Sequence, residues 1–509
     1  MNTLNDAPYS AARLKRGLAY FAIGKAAAAL LGVINFALIV QVLAVSEYAA
    51  YVSIIAAMEL AIAFSTFGVD WAGLRYLPEV REHGNGRALC LLIFRLCSIR
   101  LASLAITALL GAAVLSWLVG RAQLQAFLPI AQIYLLVLLI DGMLRFILSV
   151  VFDSLLLQGQ SQASLLVRNA VFASGLAIAV PGAGISHVAH SELVAACGAL
   201  VVALALLLFH LHATRTAGDT EADAQAPDFA RMRRMALHNY LSLILNQPYS
   251  PQALILLAGL FLPAGTTAML GFARNFTDLI RRYQPVELLL GLLRPLLISS
   301  YAKGRNFSAL ARMAQLIYKV SLLTLCPVLV ACIAYGDELI AVISGHKYPD
   351  AYWLIVGLAW TLVLRSHRLL VGTMANILDR PDLLTRTAAA TLVVLPVCVT
   401  GFACGYGPLT LFIAALVEEA IGTWVILRGI GALGYAYAPP WPAMVRVAVI
   451  TFTLSGLLVV FRLPAQSMLW LILQSAFAAG AAVALALASG YFDAPERSTL
   501  RGIAGLRTS

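Results

Sequence analysis

GTTAMLGFARNFTDLIRRYQPVELLLGLLRPLLISS, residues 265–300, is a mostly apolar stretch that carries Arg274, Asp278, Arg281 and Arg282 in its interior. An ionisable group at the bilayer centre costs roughly 2.5–3.5 kcal/mol on insertion scales, so it faces a protein interior or a water-filled path rather than lipid. At about 100° of rotation per residue these four charges fall within an arc of roughly 100° on one helix face. Such a stripe predicts a polar pathway through a membrane.

The rest of the chain agrees. Hydrophobic residues make up 61% and charged residues 12%, where a soluble chain carries about 25% charged residues. Apolar stretches of spanning length predict an all-α, polytopic membrane protein of about 14 transmembrane helices. The first six are expected at residues 17–44, 47–69, 88–119, 127–157, 163–181 and 187–210. The others are expected at 236–261, 265–300, 312–335, 350–378, 383–402, 407–431, 443–462 and 466–491. Arg13, Lys15 and Arg16 lead into an apolar run too long for a signal peptide, so no cleaved leader is expected. Seven cysteines lie in or beside apolar spans without metal-ligand spacing, and neither a disulfide nor a zinc site is read from them.

Basic residues cluster at alternate connections, among them Arg75/Arg81/Arg87, Arg168, Arg231/Arg233/Arg234, Lys303/Arg305/Arg312 and Arg497/Arg501/Arg507. The positive-inside rule makes these cytoplasmic, with both termini inside. The net charge of +11 then reports orientation and anionic headgroups, and no nucleic-acid partner is expected. Outer connections are short, the longest being 336–349, which argues against polymerases and sugar transferases with outer catalytic domains. No DxD motif, P-loop or GxSxG is present, so no cofactor and no catalytic residue is expected.

One polar connection divides the chain, residues 213–235, ATRTAGDTEADAQAPDFARMRRM, read as a flexible linker. The expected organisation is an N-terminal lobe at 1–212, the linker at 213–235, a C-terminal lobe at 236–431, and a C-terminal helix pair with tail at 432–509. Two six-helix lobes around a central cavity are a common transporter plan.

Residues 41–79, QVLAVSEYAAYVSIIAAMELAIAFSTFGVDWAGLRYLPE, resemble the first helical hairpin of polysaccharide-type flippases. Leu43, Glu47, Tyr48 and Tyr51 stand at its turn, with Ala44 and Ala49 where that family has glycine. Gly68, Asp70 and the run Arg75, Tyr76, Leu77, Pro78, Glu79 stand at its end. SGHKYPDAYWLIVGLAW at 344–360 and GYGPLTLFIAALVEE at 405–419 are similar to later motifs of the same family. The chain thus resembles the oligosaccharide flippases of the multidrug/oligosaccharidyl-lipid/polysaccharide (MOP) exporter superfamily. The resemblance implies a transporter of the bacterial inner membrane that moves undecaprenyl-diphosphate-linked oligosaccharide outward by alternating access, for exopolysaccharide, capsule or O-antigen synthesis. It also implies as partners a polyprenyl-diphosphate-linked glycan, membrane lipids, and a polysaccharide polymerase with its assembly proteins.

A diphosphate head calls for cavity cations, and arginine meets it bidentately. Arg274 near mid-span is the first candidate, followed by Arg281, Arg365, Arg368 and Lys25. Snorkelling to the membrane surface is the competing reading for Arg281, Arg368 and Lys25. Asp278 is placed to pair with Arg274 or Arg282 at i, i+4, as a moderator of the cations or as a ladder that fixes helix register. Asp141 and Arg145 form a second i, i+4 pair, and Glu418 is a candidate coupling or structural group beside Glu419. Glu59 falls mid-span, and Asn246–Gln252 with Pro248 and Pro251 predicts local unwinding. Two other classes stay open: a cation-coupled drug or metabolite antiporter of the same fold, which needs carboxylates to dominate the lumen, and a noncatalytic assembly scaffold.

Overall fold

The computed structural model describes residues 11–82, 86–119, 128–179, 184–216, 229–287, 306–378, 380, 382–461 and 468–503, and every element among them is helical. The helices are α1 (Ala11–Val42), α2 (Val45–Phe64), α3 (Val69–Glu82), α4 (Gly86–Val119), α5 (Leu128–Phe146), α6 (Gln158–Ala177), α7 (Gly184–Thr216), α8 (Phe229–Asn246) and α9 (Pro251–Phe261). They continue as α10 (Ala264–Arg282), α11 (Phe307–Ser344), α12 (Ala351–Ile377), α13 (Asp382–Thr391), α14 (Val394–Ala403), α15 (Leu409–Ala432), α16 (Trp441–Val460), α17 (Met468–Ala488) and α18 (Ala494–Ile503).

Among the described residues, 11 helical stretches are long and apolar enough to cross a membrane. Three expected spans do not qualify. Gln160, Gln162, Arg168 and Asn169 make α6 too polar. The stretch 236–261 is divided into α8 and α9 by a 3-10 turn at Gln247–Tyr249, where Pro248 and Pro251 cannot donate ladder hydrogen bonds. Helix α10 ends at Arg282, because Pro285 disfavours helical backbone just ahead of it. The remainder of that span from residue 288, with Pro295, lies outside the described residues. So do linker residues 217–228 and the basic positions Lys303, Arg305 and Arg507. The outer connection expected at 336–349 is shorter than that, because α11 runs on to Ser344 and stops at Gly345 in the left-handed region (φ 60°).

The chain forms two compact units, Met1–Leu256 and Leu257–Ser509. In the first, α1 packs on α6, α6 on α7, and α5 on α4 and α7. Residues 236–256, read from the sequence as the start of the C-terminal lobe, fall in this unit, with α8 against α3. In the second, α11 packs on α12, α16 and α17, while α12 packs on α10 and α15.

Lipid is as apolar as leucine, so packing quality and polar contacts hold membrane helices together. Small residues supply the close approach. Ala195, Ala199 and Ala203 form a fully buried i+4 stripe on α7, and Ala478, Ala482 and Ala486 do the same on α17. The opposite face of α17 is left to lipid, with Phe477 72% exposed.

Candidate functional site

Each unit encloses its own polar cluster. In the first, Glu47 supports the frame: its carboxylate accepts the Ala44 N–H at 3.0 Å and the Ile185 N–H at 3.4 Å, tying the start of α2 to the start of α7. At the other end of α2 the chain turns through Phe67 (φ 43°) and Gly68 (φ 76°). Buried Arg100 of α4 donates to the Ile62 carbonyl at 3.3 Å and to Ser65 Oγ at 3.2 Å, placing a cation where helix C-terminal carbonyls are left open. Tyr240 of α8 donates to the Phe64 carbonyl at 2.8 Å. A Cβ at Gly68 would collide with the Ala236 carbonyl, so only glycine meets both the backbone angle and the close approach.

Between these ends lies an ion-pair network drawn from α2, α5, α6, α7 and α9. Asp141, 1% exposed, binds Arg145 Nε at 2.7 Å and Arg168 Nε at 3.0 Å. Arg145 also reaches Glu59 at 3.6 Å, and Arg168 reaches Glu192 at 3.6 Å. Glu192 accepts from the Tyr134 hydroxyl at 3.2 Å, and Glu59 accepts from Gln252 Nε2 at 2.6 Å. Arg168, expected in a cytoplasmic connection, is therefore an interior residue of α6. Ionised, the network holds three carboxylates against two guanidiniums. Directly after Arg145, α5 widens into a π-helical turn, Ile147–Phe152.

The second unit places its cluster on α10, α12 and α15. Asp278 sits between Arg274 (3.6 Å) and Arg281 (3.1 Å); the expected alternative partner, Arg282, is exposed. Arg365 contacts Glu419 at 3.4 Å and Glu287 at 4.0 Å. Arg368 binds Glu418 at 2.7 Å and Glu419 at 2.6 Å. Gly422 makes room for it, since a Cβ there would stand 2.6 Å from Arg368 Cδ. His367 turns away from its arginine neighbours to meet the Tyr437 hydroxyl at 3.2 Å, and Ser366 donates to Gln284 at 3.0 Å.

The structure thus brings Arg274, Asp278, Arg281, Arg365, Arg368 and Glu418 into one unit's cluster, and Asp141 with Arg145 into the other's. Lys25 is half-buried on α1 near Asp153. With Glu287 and Glu419 counted, the second cluster holds four carboxylates against Arg274, Arg281, Arg365 and Arg368. Sequence reading missed Glu192, a carboxylate inside an apolar span, which was itself the signal.

Polar clusters held within helical units with lipid-suited outer faces define a multi-pass membrane protein. Residues 14–284, more than half of the chain, match the family model for polysaccharide biosynthesis protein, and the chain belongs to that family. No curated protein matches the chain. Among solved structures, the lipid II flippase MurJ superposes with a TM-score of 0.63 at 13% identity, over 92% of this chain and 98% of that one. A multidrug resistance MATE family transporter of the MOP superfamily gives 0.56 at 14% identity, over 81% and 96%. The MATE transporter VcmN of Vibrio cholerae gives 0.53 at 17% identity, over 82% and 97%. The fold is that of the MOP superfamily.

Proposed function

We propose that this transporter flips a polyprenyl-diphosphate-linked oligosaccharide across the bacterial inner membrane, with both termini cytoplasmic, to supply polysaccharide synthesis. Membership of the polysaccharide biosynthesis family supports the pathway. The observation that carries the substrate class is the sharing of one carboxylate, Asp278, by Arg274 and Arg281. Two guanidiniums sharing one carboxylate keep N–H donors for an incoming anion, and the oxygens of a diphosphate can accept from both. Arg365 and Arg368, each held by Glu418, Glu419 or Glu287, orient α12 against α15 beside that pair. In cells that depend on the protein, Arg274→Gln and Arg281→Gln should each cut surface polysaccharide at least tenfold at unchanged protein level. Normal polymer from both variants would overturn the assignment.

The first unit favours a second reading, a cation-coupled antiporter, because its network carries one carboxylate more than guanidinium. Under that reading a proton or sodium gradient drives efflux of a cationic dye from vesicles, and Glu192→Gln abolishes it. Under the flippase reading dye efflux is absent.

A further inference from the structure

Helix α4 shows an exposed apolar stripe made of Leu91, Phe94, Ile99, Ile106, Leu110 and Val114. One cation interrupts it. Arg95 is exposed and, with Phe94, Ser98 and Ile99, lines an open cavity of about 460 Å³. The arginines of the two ion-pair clusters have carboxylate partners, and Arg100 has a carbonyl and a hydroxyl. No carboxylate among the described residues pairs with Arg95. From Arg95 to Val114 is roughly 19 residues, about 29 Å at 1.5 Å per residue, which equals the hydrocarbon thickness of about 30 Å. If the stripe between them faces the acyl chains, Arg95 sits at the level of the headgroup phosphates.

We infer that Arg95 and its cavity bind the headgroup of an anionic phospholipid, with an acyl chain running along Ile99 toward Ile106. A single guanidinium matches a single phosphodiester charge, and the Ser98 hydroxyl offers a further donor to it. A diphosphate would leave a second charge against Phe94 and Ile99, so the occupant is a bulk phospholipid rather than the carrier lipid. The site lies on the first unit's exposed face and stands independently of the flippase reading.

Native mass spectrometry of the full-length protein in detergent, titrated with phosphatidylglycerol or phosphatidylcholine, tests this. The wild type should retain one more phosphatidylglycerol than phosphatidylcholine. Arg95→Gln should weaken that binding at least fivefold, while Arg95→Lys stays within twofold of wild type. Exposed Arg312 serves as control, and Arg312→Gln should change nothing. Equal retention of the two lipids by the wild type would overturn the site, as would undiminished binding in Arg95→Gln or an equal loss in Arg312→Gln. Displacement of phosphatidylglycerol by stoichiometric undecaprenyl diphosphate would show the carrier lipid to be the occupant and overturn the phospholipid assignment.

Discussion

Asp141 carries the heaviest electrostatic load in the first unit, being almost fully buried between two guanidiniums. Removing one partner of a buried ion pair leaves an uncompensated charge and costs about 3–5 kcal/mol. Asp141→Ala should therefore lower the unfolding temperature of the purified protein strongly, and addition of Arg168→Leu should recover part of the loss. Additive losses in the double variant would contradict the network. Two glycines of α15 make a second contrast: a Cβ at Gly422 would press on Arg368, whereas nothing lies within 4 Å of one at Gly431. Gly431→Ala should leave transport intact and gain up to about 1 kcal/mol through helix propensity. Gly422→Ala should abolish transport while the protein still inserts. The Asp141–Arg145 pair was legible because i, i+4 spacing fixes it within one helix. Its extension to Arg168 and Glu192 was not, since those residues reach it from α6 and α7 through tertiary packing.

The broken helices are the informative elements. Pro248, Pro251 and Pro285 signal interruptions in the sequence, and the structure has them at the 3-10 turn before α9 and at the end of α10. The α2–α3 break is harder to read, because its support comes from Arg100 on α4 and from Ala236 and Tyr240 on α8. Gly68→Ala combines an unfavourable φ with a backbone collision. It should loosen α8 from α3 and raise protease cleavage within residues 229–246, while Tyr240→Phe should cost only about 1 kcal/mol, the net worth of one hydrogen bond. Equal protection in Gly68→Ala and wild type would contradict this role for the glycine. Helix α6 escaped the hydropathy criterion for a related reason: its polar residues serve the interior, as Arg168 does, and average hydropathy cannot tell an inward polar face from a surface one.

At the scale of the molecule, composition and the order of apolar stretches fix a polytopic helical protein, the family match makes it a member of the polysaccharide biosynthesis family, and its fold is shared with MurJ and the MATE transporters. The charge balance of each cluster is not legible from sequence, because carboxylates such as Glu287 and Glu192 come from other segments of the chain than the arginines they face. The two clusters differ in charge balance: carboxylates are in excess in the first, while in the second four carboxylates meet four guanidiniums and Arg274 and Arg281 share one partner. That asymmetry ties the proposed anionic substrate to the second unit. The most direct test reconstitutes the protein in liposomes with a fluorescent undecaprenyl-diphosphate oligosaccharide and follows its quenching by a membrane-impermeant reagent. Wild-type protein should expose nearly all of the labelled lipid to the reagent, and Arg274→Gln/Arg281→Gln should expose only the outer-leaflet half. Equal exposure with wild-type protein and with empty liposomes would contradict the account.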